Sequence, residues 1–177
     1  MANAVSIRDA CASDRGGIRD LYRATFTATY GPTLEPSALA AMLAALDASE
    51  LRHMLPGQDE RAAVAVLAGQ VVGSAVSAER GRVAYLWGMY VHPAQQRQGI
   101  GTALLGHVLG WLSLTASVEV CVLPSSPWAV AFYGRHGFQQ TGQESFEAAP
   151  GHAVQALVMT VSRTTLQDRL GRLPAPL

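Results

Sequence analysis

Two glycines one residue apart, Gly99 and Gly101, close the stretch Gln96-Arg97-Gln98-Gly99-Ile100-Gly101, which follows Val91-His92-Pro93 and precedes an apolar run beginning Thr102-Ala103-Leu104. A strand that turns through glycines into a helix presents amide hydrogens with no acceptor inside that helix, at the positive end of its dipole. Phosphate is attracted to both. Two better-known phosphate cradles fail on spacing. A GxxxxGK[ST] loop needs a lysine, and the chain contains none. A dinucleotide fingerprint needs a third glycine where Leu104 stands. What remains is a turn on whose backbone a pyrophosphate can rest, or an ordinary strand-to-helix turn. His53, His92, His107, His136 and His152 form neither HxxxH nor HExxH, and Cys11 and Cys121 do not join them, so no metal is expected.

The elements that must hold this turn follow from periodicity. Alternation from Ala4 to Arg8 predicts a strand, and Asp14 can cap a helix through Ile18, Leu21, Tyr22 and Phe26 that Gly31 and Pro32 stop. A second helix is expected from Pro36 to about Leu46, then a polar bend at Pro56, Gly57, Gln58 and Asp59. Strands from about Arg61 to Leu67, Val71 to Ala78 and Arg82 to Val91 make an antiparallel meander with turns near Gly69 and Gly81. Ala103, Leu104, Val108, Trp111 and Leu112 then recur at helical spacing, and Val118, Val120 and Val122 alternate as in a strand. Pro127 opens a further helix through Phe132 and Tyr133 that ends near Gly137. Two strands, Phe138 to Gly142 and Val154 to Val161, are joined by a loop holding Glu144, Glu147, Pro150 and Gly151. The order predicts a single α/β domain over residues 1–162, a mixed and mostly antiparallel sheet flanked by helices on both faces. In residues 163–177, Leu166, Leu170 and Leu173 precede Pro174 at helical spacing, so a short helix is expected there, sealing the core or a homodimer partner.

Composition narrows the partners. Apolar residues make up 49% of the 177-residue chain and charged ones 15%, which fits one packed domain and excludes a disordered chain. Thirteen basic side chains balance thirteen acidic ones, leaving no basic stripe for nucleic acid. The uncharged run from Ala62 to Ala78 contains Gly69, Gln70, Gly73 and Ser77, so it reads as two strands and no membrane partner is expected. Arg8 and Asp9 interrupt the N-terminus before an export signal could form, and the two distant cysteines suit a reducing compartment. The expected location is the cytoplasm.

Val91-His92-Pro93, the Q-x-x-G-x-G match at Gln96, Gly99 and Gly101, and Ala129-Val130-Ala131-Phe132-Tyr133-Gly134-Arg135-His136-Gly137-Phe138 together resemble the GNAT family of acetyl-CoA-dependent N-acetyltransferases. The resemblance implies that the coenzyme A pyrophosphate rests on the amides of Arg97, Gln98, Gly99, Ile100, Gly101 and Thr102, beside Gln96. It further implies that the pantetheine arm pairs with the backbone of Met89, Tyr90 and Val91 like an added half-strand. The Met89 amide would polarise the thioester carbonyl. Tyr133 would be the catalytic acid that protonates the leaving thiolate.

The sequence also departs from the family. Where an Asn usually binds the pantetheine arm the chain has Ser126, which can give one hydrogen bond or act as a helix N-cap. The fourth-strand Glu that often relays a proton is Tyr85, and the alternative fifth-strand position is Cys121, with Glu119 two residues before it. An amine with a pKa of roughly 10.4 is almost wholly protonated at neutral pH, so a proton must leave by Glu119 or by a chain of waters. The expected activity is acetyl transfer to a primary amine by direct attack on the thioester, without a covalent enzyme intermediate. A small-molecule acceptor is favoured because Glu144 and Glu147 can neutralise a compact cation, and its pocket is expected around Phe26, Tyr30 and Leu34. A peptide or protein N-terminus as acceptor, and an acyl-CoA sensor without catalysis, are the alternatives.

Overall fold

The computed structural model describes residues 4–48, 60–112, 117–149 and 151–172; the expected bend at Pro56 to Asp59, His53, Pro150, Leu173 and Pro174 lie outside them. β1 (Ser6–Asp9) leads into Asp14, whose carboxylate accepts the Cys11 amide at 2.8 Å and two guanidinium nitrogens of Arg8 at 2.7 and 2.8 Å. That anchor starts α1 (Arg15–Tyr30), which buries Ile18, Leu21 and Tyr22 along one stripe. α2 (Pro36–Ala48) follows, with proline at its first position. β2 (Glu60–Leu67) and β3 (Gln70–Arg80) meet at Ala68 and Gly69, whose φ of 51° and 80° suit a tight hairpin turn. β4 (Val83–Val91), α3 (Ile100–Leu109), β5 (Ser117–Val122), α4 (Pro127–Arg135), β6 (Gln139–Ala149), β7 (His152–Ser162) and α5 (Arg163–Gly171) complete the described chain.

The strands form one seven-stranded sheet in the order β1-β2-β3-β4-β5-β7-β6, antiparallel throughout except for β4 beside β5. Strand alternation feeds two faces. Ala63 and Ala65 of β2 join a core with Leu104, Leu105 and Val108 of α3 and Leu166 of α5, whereas Val64 packs with Ile18 and Tyr22 of α1. Helices thus cover both faces, as the order of elements predicts.

The last hairpin departs from the sequence reading. The expected loop around Glu144 is instead the outer part of β6, which pairs with β7 from Gln139↔Thr160 to Ala149↔His152. β6 is the sheet edge, where polar residues face solvent and lose the apolar alternation that marks a strand. Trp111 and Leu112 likewise fall beyond α3, which stops at Leu109 before Gly110.

One irregularity positions everything that follows. Val76 pairs with Gly88 and Ser77 with Leu86, so Trp87 is an extra residue, a β-bulge in β4. β4 stays paired with β5 only from Val83↔Ser117 to Leu86↔Val120. Beyond the bulge, the two parallel strands no longer pair.

Candidate active site

The gap between β4 and β5 exposes backbone. The His92 amide donates to the Val72 carbonyl at 2.9 Å, and in an antiparallel ladder this orientation alternates, so Tyr90 and Gly88 also turn their peptide groups toward β3. Met89 and Val91 therefore turn theirs toward the gap. The Gln96 side chain donates to the Val91 carbonyl at 3.2 Å, tying the end of β4 to the loop that follows.

That loop enters α3 through two left-handed residues, Arg97 at φ 62° and Gly99 at φ 82°. For arginine this conformation costs on the order of 1 kcal/mol or more, strain of a kind found where a backbone is shaped for a ligand. After Gln96, the next amide with a backbone acceptor is that of Ala103, which donates to the Gly99 carbonyl at 3.0 Å. The amides of Ile100, Gly101 and Thr102 lie in the first helical turn, where no helical acceptor exists. Gly101 has a second duty: a Cβ there would sit 3.3 Å from the Phe132 ring, so α4 packs directly against the first turn of α3.

α4 is locked at its C-terminus by a Schellman motif. The Phe138 amide donates to the Tyr133 carbonyl at 3.1 Å and the Gly137 amide to Gly134 at 3.0 Å, with Gly137 left-handed at φ 90°. Its accompanying apolar contact is the edge-on packing of the Tyr133 and Phe138 rings, 5.1 Å between centroids. Tyr133 is buried, which raises its pKa well above that of a free phenol and keeps it protonated at neutral pH. Ser126 occupies the N-cap position, yet its side chain makes no capping hydrogen bond.

His136, at the end of α4, also reaches α3. Its Nδ1 lies 2.8 Å from the Phe132 carbonyl, which can only accept, so the Nδ1–H donates and bare Nε2 accepts the Thr102 hydroxyl at 3.2 Å. Burial lowers the His136 pKa, consistent with this neutral ring. The turn that starts α3 and the helix that carries Tyr133 are thereby one packed unit.

On the opposite face of the sheet, Tyr85 pairs in register with Glu119, and Cys121 stands where β5 leaves β4. The Cys121 thiol donates to the Glu144 carboxylate of β6 at 2.8 Å, across 23 residues of sequence. Burial first, then Glu144 and Glu119, push this thiol up to about 12, so at neutral pH it is a donor and no thiolate. Next to this pair lies an aromatic cluster in which Tyr90 meets Tyr22 at 4.7 Å and Phe26 at 5.5 Å, and its phenol bonds that of Tyr30.

The structure thus sets the turn from Gln96 to Thr102 at the end of β4, where the peptides of Met89 and Val91 face the gap, and packs it against α4, which carries Tyr133 and follows Ser126, while Tyr90 turns its peptide toward β3 and its ring toward α1. Phe26, Tyr30 and Leu34 do come together on that face, in a small cluster with Met42 and Leu123. Glu144 was legible only as a charge in a loop. Its place beside Cys121 depends on β7 inserting between β5 and β6, for which no local signal exists. Among the described residues no helix is long and apolar enough to cross a membrane.

Comparison with known proteins agrees with this geometry. A family model described as an acetyltransferase (GNAT) domain matches residues 30–152. The PaiA N-acetyltransferase of Thermoplasma acidophilum, solved with coenzyme A, superposes with a TM-score of 0.68 at 15% identity, over 90% of this chain and 99% of that one. The ribosomal-protein-S18-alanine N-acetyltransferase of Escherichia coli gives 0.65 at 19% identity, over 89% and 93% of the two chains. Arabidopsis thaliana Naa50, in complex with the bisubstrate analogue CoA-Ac-MVNAL, gives 0.60 at 18% identity, over 89% and 98%.

Proposed function

Because the chain belongs to the GNAT acetyltransferase family, we propose that it transfers the acetyl group of acetyl-CoA to the primary amine of a small molecule by direct attack on the thioester. The observation that carries this reading is the open gap between β4 and β5, which the peptides of Met89 and Val91 face, beside a helix start that packs against the helix carrying the buried Tyr133 phenol. Acetyl-CoA supplies an activated acetyl group and a thiolate leaving group. The amides from Arg97 to Thr102 suit its pyrophosphate, since they are the unpaired start of a helix shaped by two left-handed residues. The gap-facing amides of Met89 and Val91 suit the pantetheine arm, and Ser126 has a hydroxyl unused by its own helix.

In this reading the Met89 amide donates to the carbonyl oxygen as negative charge develops there. Tyr133 Oη gives its proton to the departing sulfur, a role its raised pKa serves by keeping the phenol protonated. Glu144, held by the Cys121 thiol, takes the proton that makes the amine nucleophilic. The second proton lost from nitrogen returns through solvent to Tyr133, and Glu144 releases the first to solvent, so the enzyme ends as it began. Free thiols at Cys11 and Cys121 support a place in the reducing cytoplasm.

A thiol-release assay with acetyl-CoA and a panel of amines tests the proposal, together with calorimetric binding of coenzyme A. Wild-type enzyme should bind coenzyme A and release thiol only when an amine is present. Tyr133→Phe should bind coenzyme A normally while kcat falls by a factor of about a hundred to ten thousand. Binding of coenzyme A with no thiol release from any amine would mark a sensor.

A further inference from the structure

Resting on that reading, we infer that the acceptor is a small primary amine carrying a single aromatic group, held in the cavity that the β4 bulge opens on the α1 face. The cavity measures about 390 Å³ and is lined by Tyr22, Phe26, Glu60, Arg80, Trp87, Gly88 and Tyr90. Four of these seven residues are aromatic. Ligand pockets start at roughly 300 Å³, so this one has room for an aryl group on a short chain.

The bulge creates the cavity. Because Trp87 is the extra residue, it and Gly88 both turn toward α1, where regular alternation would send one of them to the α3 side. Gly88 is required there, because a Cβ would lie 2.8 Å from the Tyr90 ring and force it out of the wall. The Trp87 ring is 50% exposed yet held on two sides, stacked on Tyr85 at 5.6 Å and covered by the Arg80 guanidinium at 5.2 Å. A ring fixed on both faces offers its exposed edge, the edge-to-face partner of a second aromatic ring.

Charge decides between an aromatic amine and a polyamine. Among the described residues the lining carries one carboxylate, Glu60, and one guanidinium, Arg80, which balance and so give it no net charge with which to desolvate a multiply charged chain. Arg80 already covers one face of Trp87, the place a second cation would seek. A single ammonium has partners on the face that Tyr85 shares, Glu119 one strand away on β5 and Glu144, whose side chain reaches back from β6 to Cys121 of β5. The cavity wall at Gly88 adjoins Met89, whose amide faces the gap. An aryl group seated against Trp87 and Tyr90 therefore presents its amine to the reacting carbonyl.

The test compares 2-phenylethylamine and tryptamine with spermidine and an alanine-headed tetrapeptide as acceptors, using the full chain and saturating acetyl-CoA. The arylalkylamines should give at least tenfold higher kcat/KM than either alternative. Trp87→Ala should raise their KM at least tenfold and leave coenzyme A affinity unchanged, and Trp87→Phe should restore most of it. A preference for spermidine or the tetrapeptide, or an unchanged KM in Trp87→Ala, would overturn the inference. If no amine is turned over although coenzyme A binds, the proposed activity has failed. Calorimetry with 2-phenylethylamine and coenzyme A together then judges the cavity alone, and absence of binding overturns it.

Discussion

In the proposed mechanism Glu144 and Cys121 divide between them the task that the resemblance assigns to one carboxylate on β4 or β5. A thiol pushed up to about 12 stays protonated, so it donates to Glu144 and fixes one carboxylate oxygen without competing for the amine's proton. We expect Glu144→Gln to lower kcat/KM by about a hundredfold at pH 7, within the range of general-base effects. The deficit should shrink as pH rises toward the amine's own pKa of roughly 10, because neutral amine then becomes abundant without help. Cys121→Ser, which keeps a donor at the same place, should stay within a few-fold of wild type. A pH–rate profile of Glu144→Gln parallel to wild type would remove Glu144 from proton transfer. Tyr133 was legible in the sequence because its neighbours Phe132, Gly137 and Phe138 form a contiguous local unit, the Schellman turn included. Glu144 was not, because its partner lies on a strand that only tertiary pairing brings near.

At the scale of elements, the two glycines that announce the site in the sequence turn out to act differently. Gly99 needs its left-handed φ of 82°, whereas Gly101 is helical and lacks a Cβ to admit the Phe132 ring. Their spacing was readable and their separate duties were not, since a backbone angle and a packing partner are properties of the folded chain. A β-branched residue at positive φ is a steric outlier, so Gly99→Val should weaken coenzyme A binding by at least tenfold in calorimetry. Gly101→Ala places a carbon 3.3 Å from Phe132 and must shift α4, which carries Tyr133 one residue further on. Its loss should therefore appear in kcat more than in coenzyme A affinity. The reverse assignment, a kcat defect from Gly99→Val with intact binding, would show that the turn at 97–99 does not hold phosphate. The bond from Thr102 to His136 joins the same two helices from the other side, so turn and acid move together.

The whole molecule is a sheet in two parts, β1 to β4 and β5-β7-β6, joined at β4 and β5 by four residue pairs before the strands separate. Most of the order of elements was readable from periodicity, but not this seam: a bulge at Trp87 and the insertion of β7 beside β5 are outcomes of long-range pairing. The seam has a thermodynamic consequence. A ligand lying in it would meet the outward amides of Met89 and Val91 on one part, α3, which crosses between the parts, and α4, which packs on α3, so it would bind the folded molecule alone. A ligand that binds only the native state stabilises it by RT ln(1 + [L]/Kd), about 2.7 kcal/mol at a hundred times Kd. For a domain of this size each kcal/mol raises Tm by about 2–4 °C, so acetyl-CoA at that concentration should raise it by roughly 5–11 °C. Inorganic pyrophosphate, which can occupy only the turn at 97–102, should give a fraction of this shift, and acetate none. Hydrogen exchange should slow at the gap-facing amides of β4, those of Met89 and Val91, more than along β1 or β2, because those two amides gain a partner only when the arm is bound. An equal Tm shift from pyrophosphate and acetyl-CoA, with no added protection in β4, would place the ligand on the turn alone and leave the seam without its proposed occupant.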